Sequence, residues 1–436
     1  MVSKRGISVV AFCIAPLMVA GAGSFANAQS SSPSESIYTV SRRVAYRVVD
    51  LGELGGGFVR ARDITGDGLV LGEAEVVRGE WKPEVWTASM WGPNTYFDRD
   101  AAYARRQVLP LSALGAWLGA PFGTPRNTQD LYNPDFDGFG RRVGNTGRYI
   151  EKVTQEPIVF RNGRLTALGN LGGSKGVATA GNRNGQIVGT SLAHDYLGPY
   201  RAFLYQPSQT PGQRSHMTDL GTLGGQTSIA HDINDAGVVV GDSDMGGEIQ
   251  RAFCYKDGTM RDLGTLGGSQ SYARAINNRS QIVGWSENRR YEIRAVLWEA
   301  STMRELETSP DLIATYAHSI NDLGHAVGSA EVEPEVYRAA LWDRRGRLAI
   351  LGTLGGKWSE ATAINDRAQI VGSSANDAGQ ERAFLWESRR LYDLNHLIPP
   401  DSGWELVRAE SINDRGEIVG WGKKNGKTRA FLLIPR

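Results

Sequence analysis

Two cysteines in 436 residues leave no room for a disulfide-stapled fold. Cys13 falls in an apolar N-terminal segment expected to be cleaved as a leader, so Cys254 stands alone and no internal disulfide is expected. Beyond that leader no run is apolar for about 20 residues, which excludes a membrane-spanning helix. An excess of one charge is missing as well. The chain carries 48 basic and 47 acidic residues, and loss of Lys4 and Arg5 with the leader leaves 46 against 47, a net charge of −1. With no basic stripe, nucleic acid is not an expected partner. The sequence also lacks a G-x-S-x-G elbow, an H-E-x-x-H helix, a C-x-x-C pair and a P-loop, so the commonest hydrolase, zinc and nucleotide signatures are absent.

What is abundant is glycine, at 54 residues with no low-complexity tract. Such glycines mark many separate turns. The first residues read as a secretory signal peptide, 1–28. Lys4 and Arg5 form its basic region, Ile7 to Ala22 its apolar core, and Ala26-Asn27-Ala28 a small-x-small cleavage site. Cys13 follows Phe12, where a lipoprotein signal requires a small residue, so no lipid anchor is expected. Residues 29–44 read as a flexible segment and 45–436 as one domain. The mature chain is expected to be extracellular or periplasmic, and monomeric.

Three landmarks recur. A glycine ends an IVG-like run at Gly72, Gly144, Gly189, Gly241, Gly284, Gly328, Gly372 and Gly420. An aromatic-ended run such as RAFLW closes at Trp86, Phe160, Tyr205, Tyr255, Trp298, Trp342, Trp386 and, as Leu, at Leu433. A DLGTLGG-like turn carries Leu51, Leu114, Leu168, Leu220, Leu263, Leu306, Leu351 and Leu394. A unit of about 43 residues holding four short strands and an Asn/Asp-Gly hairpin turn is the period of a propeller blade. The count predicts an all-β, closed propeller of about eight four-stranded blades, with seven as the alternative if the degenerate unit ending at Gly144 does not form. The last unit stops at RAFLLIPR without a fourth strand, while Tyr46 to Leu51 is a spare fourth strand at the other end. Pairing the two closes the ring and hides its edges. Arginines opening the third strand are expected to pair with fourth-strand acids: Arg201 with Asp219, Arg251 with Asp262, Arg294 with Glu305, Arg382 with Asp393, and Arg429 with Asp50 across the closure.

The units DLGTLGG…AxxIN…GxIVG…RAFLW, and the ending DLNHLIPPDSGWEL…INDRGEIVG…RAFLLIP, resemble the HAF family of bacterial extracellular repeat proteins. The resemblance spans nearly the whole mature chain and is weakest between 87 and 160. It implies a secreted bacterial protein and carries no catalytic residues with it.

Candidate ligand-binding residues come from two places. On the innermost strand one position varies behind a recurrent Ala: Arg62, Thr179, His231, Arg274, His318, Thr362 and Glu410. Arg62, His231, Arg274, His318 and Glu410 are candidates for a polar channel mouth, against the plainer reading of polar packing between blades. An insertion at about 87–135 is rich in aromatics, of which Trp91, Tyr96, Phe97, Tyr103 and Trp117 are candidates for a stacking platform or for packing on one face of the ring. No cofactor is expected. Calcium suits the oxygen-rich loop Asn133-Pro134-Asp135-Phe136-Asp137-Gly138, although Asp137-Gly138 aligns with the hairpin turn at Asn413-Asp414. Cys254 reads as an inert core thiol. The expected function is a non-catalytic binding module for an extracellular glycan or protein. A polysaccharide lyase or hydrolase using the channel mouth is the first alternative, and a structural surface protein the second.

Overall fold

Short runs of β-branched and aromatic residues between glycine turns make the chain almost entirely β. The computed structural model describes residues 45–436 apart from 53–54, 79–151, 162–163, 195–197, 209–214, 248 and 301. The expected leader, the 29–44 segment, the unit ending at Gly144, the candidate calcium loop and Trp91, Tyr96, Phe97, Tyr103 and Trp117 therefore lie outside the described residues.

The first strand is β1 (Tyr46–Asp50). Blade 1 follows with β2 (Gly55–Ile64), β3 (Val70–Arg78), β4 (Lys152–Arg161) and β5 (Arg164–Ala167). Blade 2 holds β6 (Gly176–Gly181), β7 (Ile187–Leu192), β8 (Tyr200–Gln206) and β9 (His216–Asp219). Blade 3 holds β10 (Ser228–Ile233), β11 (Val239–Asp244), β12 (Gln250–Lys256) and β13 (Thr259–Asp262). Blade 4 holds β14 (Gly267–Ile276), β15 (Ile282–Asn288), β16 (Ile293–Glu299) and β17 (Thr302–Glu305). Blade 5 holds β18 (Ala314–Ile320), β19 (Ala326–Glu333), β20 (Val336–Trp342) and β21 (Leu348–Ile350). Blade 6 holds β22 (Gly355–Ile364), β23 (Ile370–Asn376), β24 (Glu381–Glu387) and β25 (Arg390–Asp393). Blade 7 takes β26 (Trp404–Ile412), β27 (Ile418–Lys424), β28 (Lys427–Pro435) and, as its outer strand, β1. The sheets are antiparallel, and the seven inner strands neighbour one another in a closed cycle.

The ring is a seven-bladed propeller, so the count of eight gives way to its alternative. The reason is a register. β3 pairs directly with β4, from Val70↔Phe160 to Arg78↔Lys152, across the 79–151 segment. Phe160, read as the third-strand landmark of a second unit, thus completes the first. The proposed closure does form: β1 lies antiparallel to β28 from Tyr46↔Pro435 to Asp50↔Phe431.

The core lies between blades. The recurrent alanines Ala61, Ala178, Ala230, Ala273, Ala317, Ala361 and Ala409 are all fully buried, and the apolar clusters draw on adjacent sheets. In one, Val283 and Leu297 of blade 4 meet Ala317, Ala340 and Trp342 of blade 5. Each sheet has an apolar face it cannot bury alone, which is why the repeat stacks.

The Ile-Asn-Asp turns clasp the blades at one end of the ring. Asn321 Oδ1 accepts the N–H groups of Leu323 and His325, closing its own turn, while Nδ2 donates to the Asn365 carbonyl of the next blade at 3.0 Å. The same amide-to-carbonyl step runs from Asn182 through Asn234, Asn277, Asn321, Asn365 and Asn413 to the Thr65 carbonyl. The following residue adds a parallel set: Asp322, Asp366 and Asp414 accept the backbone N–H of Asn278, Asp322 and Asp366. Gly324 takes φ +84 in this turn, and where the sequence offers Ser280 or Ala368 instead, those residues adopt the same left-handed backbone at φ 59 and 56.

The expected arginine–acid pairs are met in part. Arg251–Asp262 (3.9 Å) and Arg294–Glu305 (3.5 Å) form, whereas Arg382 pairs with Glu405 at 2.7 Å. The aspartates have another task. Asp50, Asp219 and Asp262 accept the N–H of Gly52, Gly221 and Gly264 two residues on, shaping the DLG turn. Among the described residues no helix is long and apolar enough to cross a membrane.

Candidate functional site

The variable positions behind the recurrent alanines coincide with a β-bulge in every blade. The ladder between the first and second strands skips one residue at Arg62, Thr179, His231, Arg274, His318, Thr362 and Glu410. A bulge re-aims its side chain and leaves it out of the ladder. The glycine of the IVG landmark is the other half of the device. A Cβ on Gly284 would fall on the Tyr272 carbonyl oxygen of the bulged strand, so two separate sequence landmarks serve one local geometry.

Seven bulges in a ring direct seven side chains at the channel, and the scaffold repeats while they do not. In blade 2 and blade 6 the hydroxyls of Thr179 and Thr362 donate to the carbonyls of Ala230 and Ala409 in the next blade, at 2.9 Å each. The other five fall in two separate runs of ionisable groups at the opening. Glu73 meets Arg62 at 2.7 Å, and Arg62 lies 4.0 Å from Glu410. Arg408 links Glu410 (3.4 Å) to Glu360 (2.8 Å), and His318 Nδ1 lies 3.4 Å from Glu360 and 3.1 Å from the Ala361 carbonyl. In blades 3 and 4, Arg274 Nη1 lies against the His231 ring, whose Nε2 is 2.5 Å from Asp242.

One sector is aromatic. Tyr272 stacks on Trp285 with centroids 5.0 Å apart, Tyr316 meets the Trp285 ring edge-on at 5.4 Å, and Tyr337 continues the row 6.1 Å from Tyr316. Arg274 Cζ sits 4.5 Å above Trp285, and Arg60 Cζ sits 5.5 Å above Trp421 on the far side of the ring. The bulge residues stand out in the sequence, whereas Glu73, Asp242, Glu360, Arg408, Tyr272, Trp285 and Tyr316 do not. Their signal was present, because the residue before the recurrent Ala and the one after the IVG glycine also vary between units. In the ladder these two face each other: Tyr272 pairs with Trp285, and Arg408 with Trp421.

The electrostatics follow from enclosure in a narrow opening. Burial lowers the His231 and His318 imidazoles, with Arg274 adding to the effect and the nearby carboxylates opposing it. Both rings are therefore neutral at pH 7. Burial would raise Glu360, but Arg408 and His318 together hold it below the ordinary range. Burial pushes the Tyr272 hydroxyl up to about 12, so it remains a donor. Cys254 lies away from the opening, half-buried beside the blade 3–4 core, and burial raises its thiol. Among the described residues no group of three or more His, Cys, Asp or Glu is placed to hold a metal ion.

Deeper in the channel lie Asp63 and Asp232, each immediately after a bulge. Asp63 accepts from the Ser411 hydroxyl at 2.7 Å, and Asp232 from the Ile276 N–H at 2.8 Å. Burial, reinforced by the charge of Asp63, lifts Asp232 from 3.8 to about 7. Between those values the folded chain holds a proton that the unfolded chain has released. The resulting stability is complete below about pH 4 and is lost as pH rises to about 7. Asp232→Asn should remove this dependence and exceed wild type at pH 8 by on the order of 1–4 kcal/mol. Urea melts of both proteins at pH 4, 6 and 8 check it, and parallel pH profiles would contradict it.

The sequence is similar, over residues 173–302, to the family described as protein of unknown function DUF3466. That stretch runs from just before β6 to the start of β17, three consecutive blades. No curated protein matches the chain. Similar solved structures include the β-propeller domain of the Trilobed protease from Pyrococcus furiosus, with 10% identity, 65% of this chain and 85% of that one covered, and a TM-score of 0.46. TolB from Acinetobacter baumannii is 11% identical over 65% of this chain and 60% of its own, with a TM-score of 0.37. Puromycin hydrolase is 13% identical over 62% and 46%, with a TM-score of 0.40. The likeness concerns fold alone.

Proposed function

We propose that the protein is a secreted or periplasmic binding module, without catalytic activity, that holds a glycan at the channel mouth. The observation that carries this is the broken symmetry of the opening. A seven-fold scaffold presents an aromatic sector, Tyr272–Trp285–Tyr316, beside a sector of planar charged groups, Glu360, Arg408, Glu410 and Arg62. A pyranose offers the matching pair of surfaces: an apolar C–H face for an aromatic ring and a rim of hydroxyls for charged donors and acceptors. Export is supported by the leader at 1–28 and by the resemblance to extracellular repeat proteins. The mouth groups are mostly committed to each other, Arg408 to Glu360 and His231 to Asp242, which favours holding a ligand over transforming one.

An enzymatic reading has one observation behind it. Asp242 orients the neutral His231 ring at 2.5 Å, as a general base requires.

The test is binding of residues 29–436 to an array of bacterial and plant glycans, with the supernatant assayed for cleaved product. Binding without product, weakened at least about tenfold by Tyr316→Ala or Arg408→Ala, is expected. Product formation abolished by His231→Ala would establish the enzyme instead, and no binding to any glycan would overturn the proposal.

A further inference from the structure

Arg274 differs from its counterparts round the opening. Arg62 has Glu73 at 2.7 Å and Arg408 has Glu360 at 2.8 Å. Arg274 has no carboxylate within 4.0 Å among the described residues. Asp242 and Glu360 act on it only from farther off, each held at short range by its own partner, His231 and Arg408. A guanidinium enclosed by protein costs several kcal/mol unless an anion meets it. Here the neighbours supply ring systems instead. One face lies on the Trp285 indole, 4.5 Å from its centroid, and Nη1 lies 3.2 and 3.1 Å from the two His231 ring nitrogens. One N–H cannot align with both nitrogens, so this contact satisfies the imidazole's neighbourhood more than it uses the fork. Trp285 is itself stacked on Tyr272, with ring centroids 5.0 Å apart. The result is a guanidinium locked in orientation, with donors on its edge that no carboxylate takes up. Such a fork suits a bidentate carboxylate, and its rigidity reduces the entropy lost on pairing.

We propose that Arg274 receives the carboxylate of an acidic sugar, so that the ligand class of the mouth is a uronate-containing glycan. This rests on the glycan reading above. Tyr272 and Tyr316, which flank Trp285, place aromatic surface beside the fork, as a ring bearing a carboxylate requires. An anion placed there also brings the positive charge of Arg274 the close partner that the fold withholds.

Titration calorimetry of residues 29–436 with trigalacturonate and with its fully methyl-esterified form tests this. The acid should bind at least about tenfold tighter than the ester, and only the acid should weaken as NaCl rises from 50 to 500 mM. In Arg274→Gln the preference for acid over ester should vanish, and Arg274→Lys should keep part of it. The acid–ester comparison in the unaltered protein needs no variant, and melting curves confirm that the variants fold. Equal binding of acid and ester, or an equal loss of both in Arg274→Gln, overturns the inference. So does tighter binding of an acidic tripeptide than of trigalacturonate. If neutral glycans bind the array but trigalacturonate does not, this inference fails and the binding-module reading stands. If no glycan binds, both fail.

Discussion

A chain beginning at Gly55 should not hold a closed ring. It lacks β1, which supplies the outer strand of blade 7 and buries Tyr46, Val49 and Leu51 to 7% exposure or less. Tyr46 packs with Leu385, Leu394 and Leu433, and Val49 and Leu51 with Val419 and Leu432. Ala45 and Tyr46 both donate to the Leu397 carbonyl, and Arg436 donates to Ala45, so the same segment ties down the loop after blade 6 and the end of β28. Three buried side chains at about 1.5–3 kcal/mol each come to roughly 5–9 kcal/mol, comparable to the whole stability of a typical domain. Removing β1 also bares the long edge of β28 to other chains. The truncated protein should aggregate or melt far below a chain of residues 29–436, and a synthetic peptide of residues 45–52 should restore part of the loss. A truncated protein that stays monomeric and melts within a few degrees of the full chain would contradict closure.

Trp342→Ala should cost about 3–5 kcal/mol, as large-to-small core truncations do. The indole is fully buried and fills the seam between blades 4 and 5 against Val283, Leu297 and Ala317. Its Nε1 donates to the Glu307 carbonyl at 2.9 Å, so truncation also leaves that acceptor unmatched. Trp342→Phe retains most of the ring and should cost only about 1–2 kcal/mol, separating packing from the lost hydrogen bond. Urea melts measure both, and a loss below about 1 kcal/mol for the alanine variant would show that the seam does not depend on the indole. Trp298 holds the equivalent place one blade earlier, buried and donating to the Leu263 carbonyl at 3.0 Å. The corresponding residues Tyr205, Tyr255 and Trp386 are only partly buried, so the effect should not be uniform round the ring.

The periodic parts of the protein were legible because they are local. Strand, turn and glycine recur every 43 or so residues, and each is set by neighbours a few positions away. The spare strand at Tyr46 was legible because a unit visibly lacked its fourth. The blade count was not, because it depends on which strand β3 chooses. Trp86 lies 14 residues past Gly72, the spacing of complete units, yet the nine-residue ladder to β4 begins 74 residues beyond Arg78. Nothing in local spacing encodes a partner that far along the chain. Asp219 and Asp262 show a second limit. Their position opposite an arginine points to ion pairs, and Asp262 does meet Arg251 at 3.9 Å, but the shorter contact of each is with the glycine N–H two residues on. The bulge residues Arg62, His231, Arg274, His318 and Glu410 were identified by their variability alone. Their convergence, and the partners Asp242, Glu360 and Trp285 from other strands, required the ring.

Under the proposed function, one end of the channel holds the ligand while the repeated turns at the other end only clasp blades together. Hydrogen–deuterium exchange of residues 29–436, with and without a glycan bound on the array, tests this most directly. Added protection is expected at residues 270–274, 316–318 and 358–362, and none at the Asn234, Asn277, Asn321 and Asn365 turns. Protection confined to those turns, or to the outer strands β9, β13, β17 and β21, would contradict it.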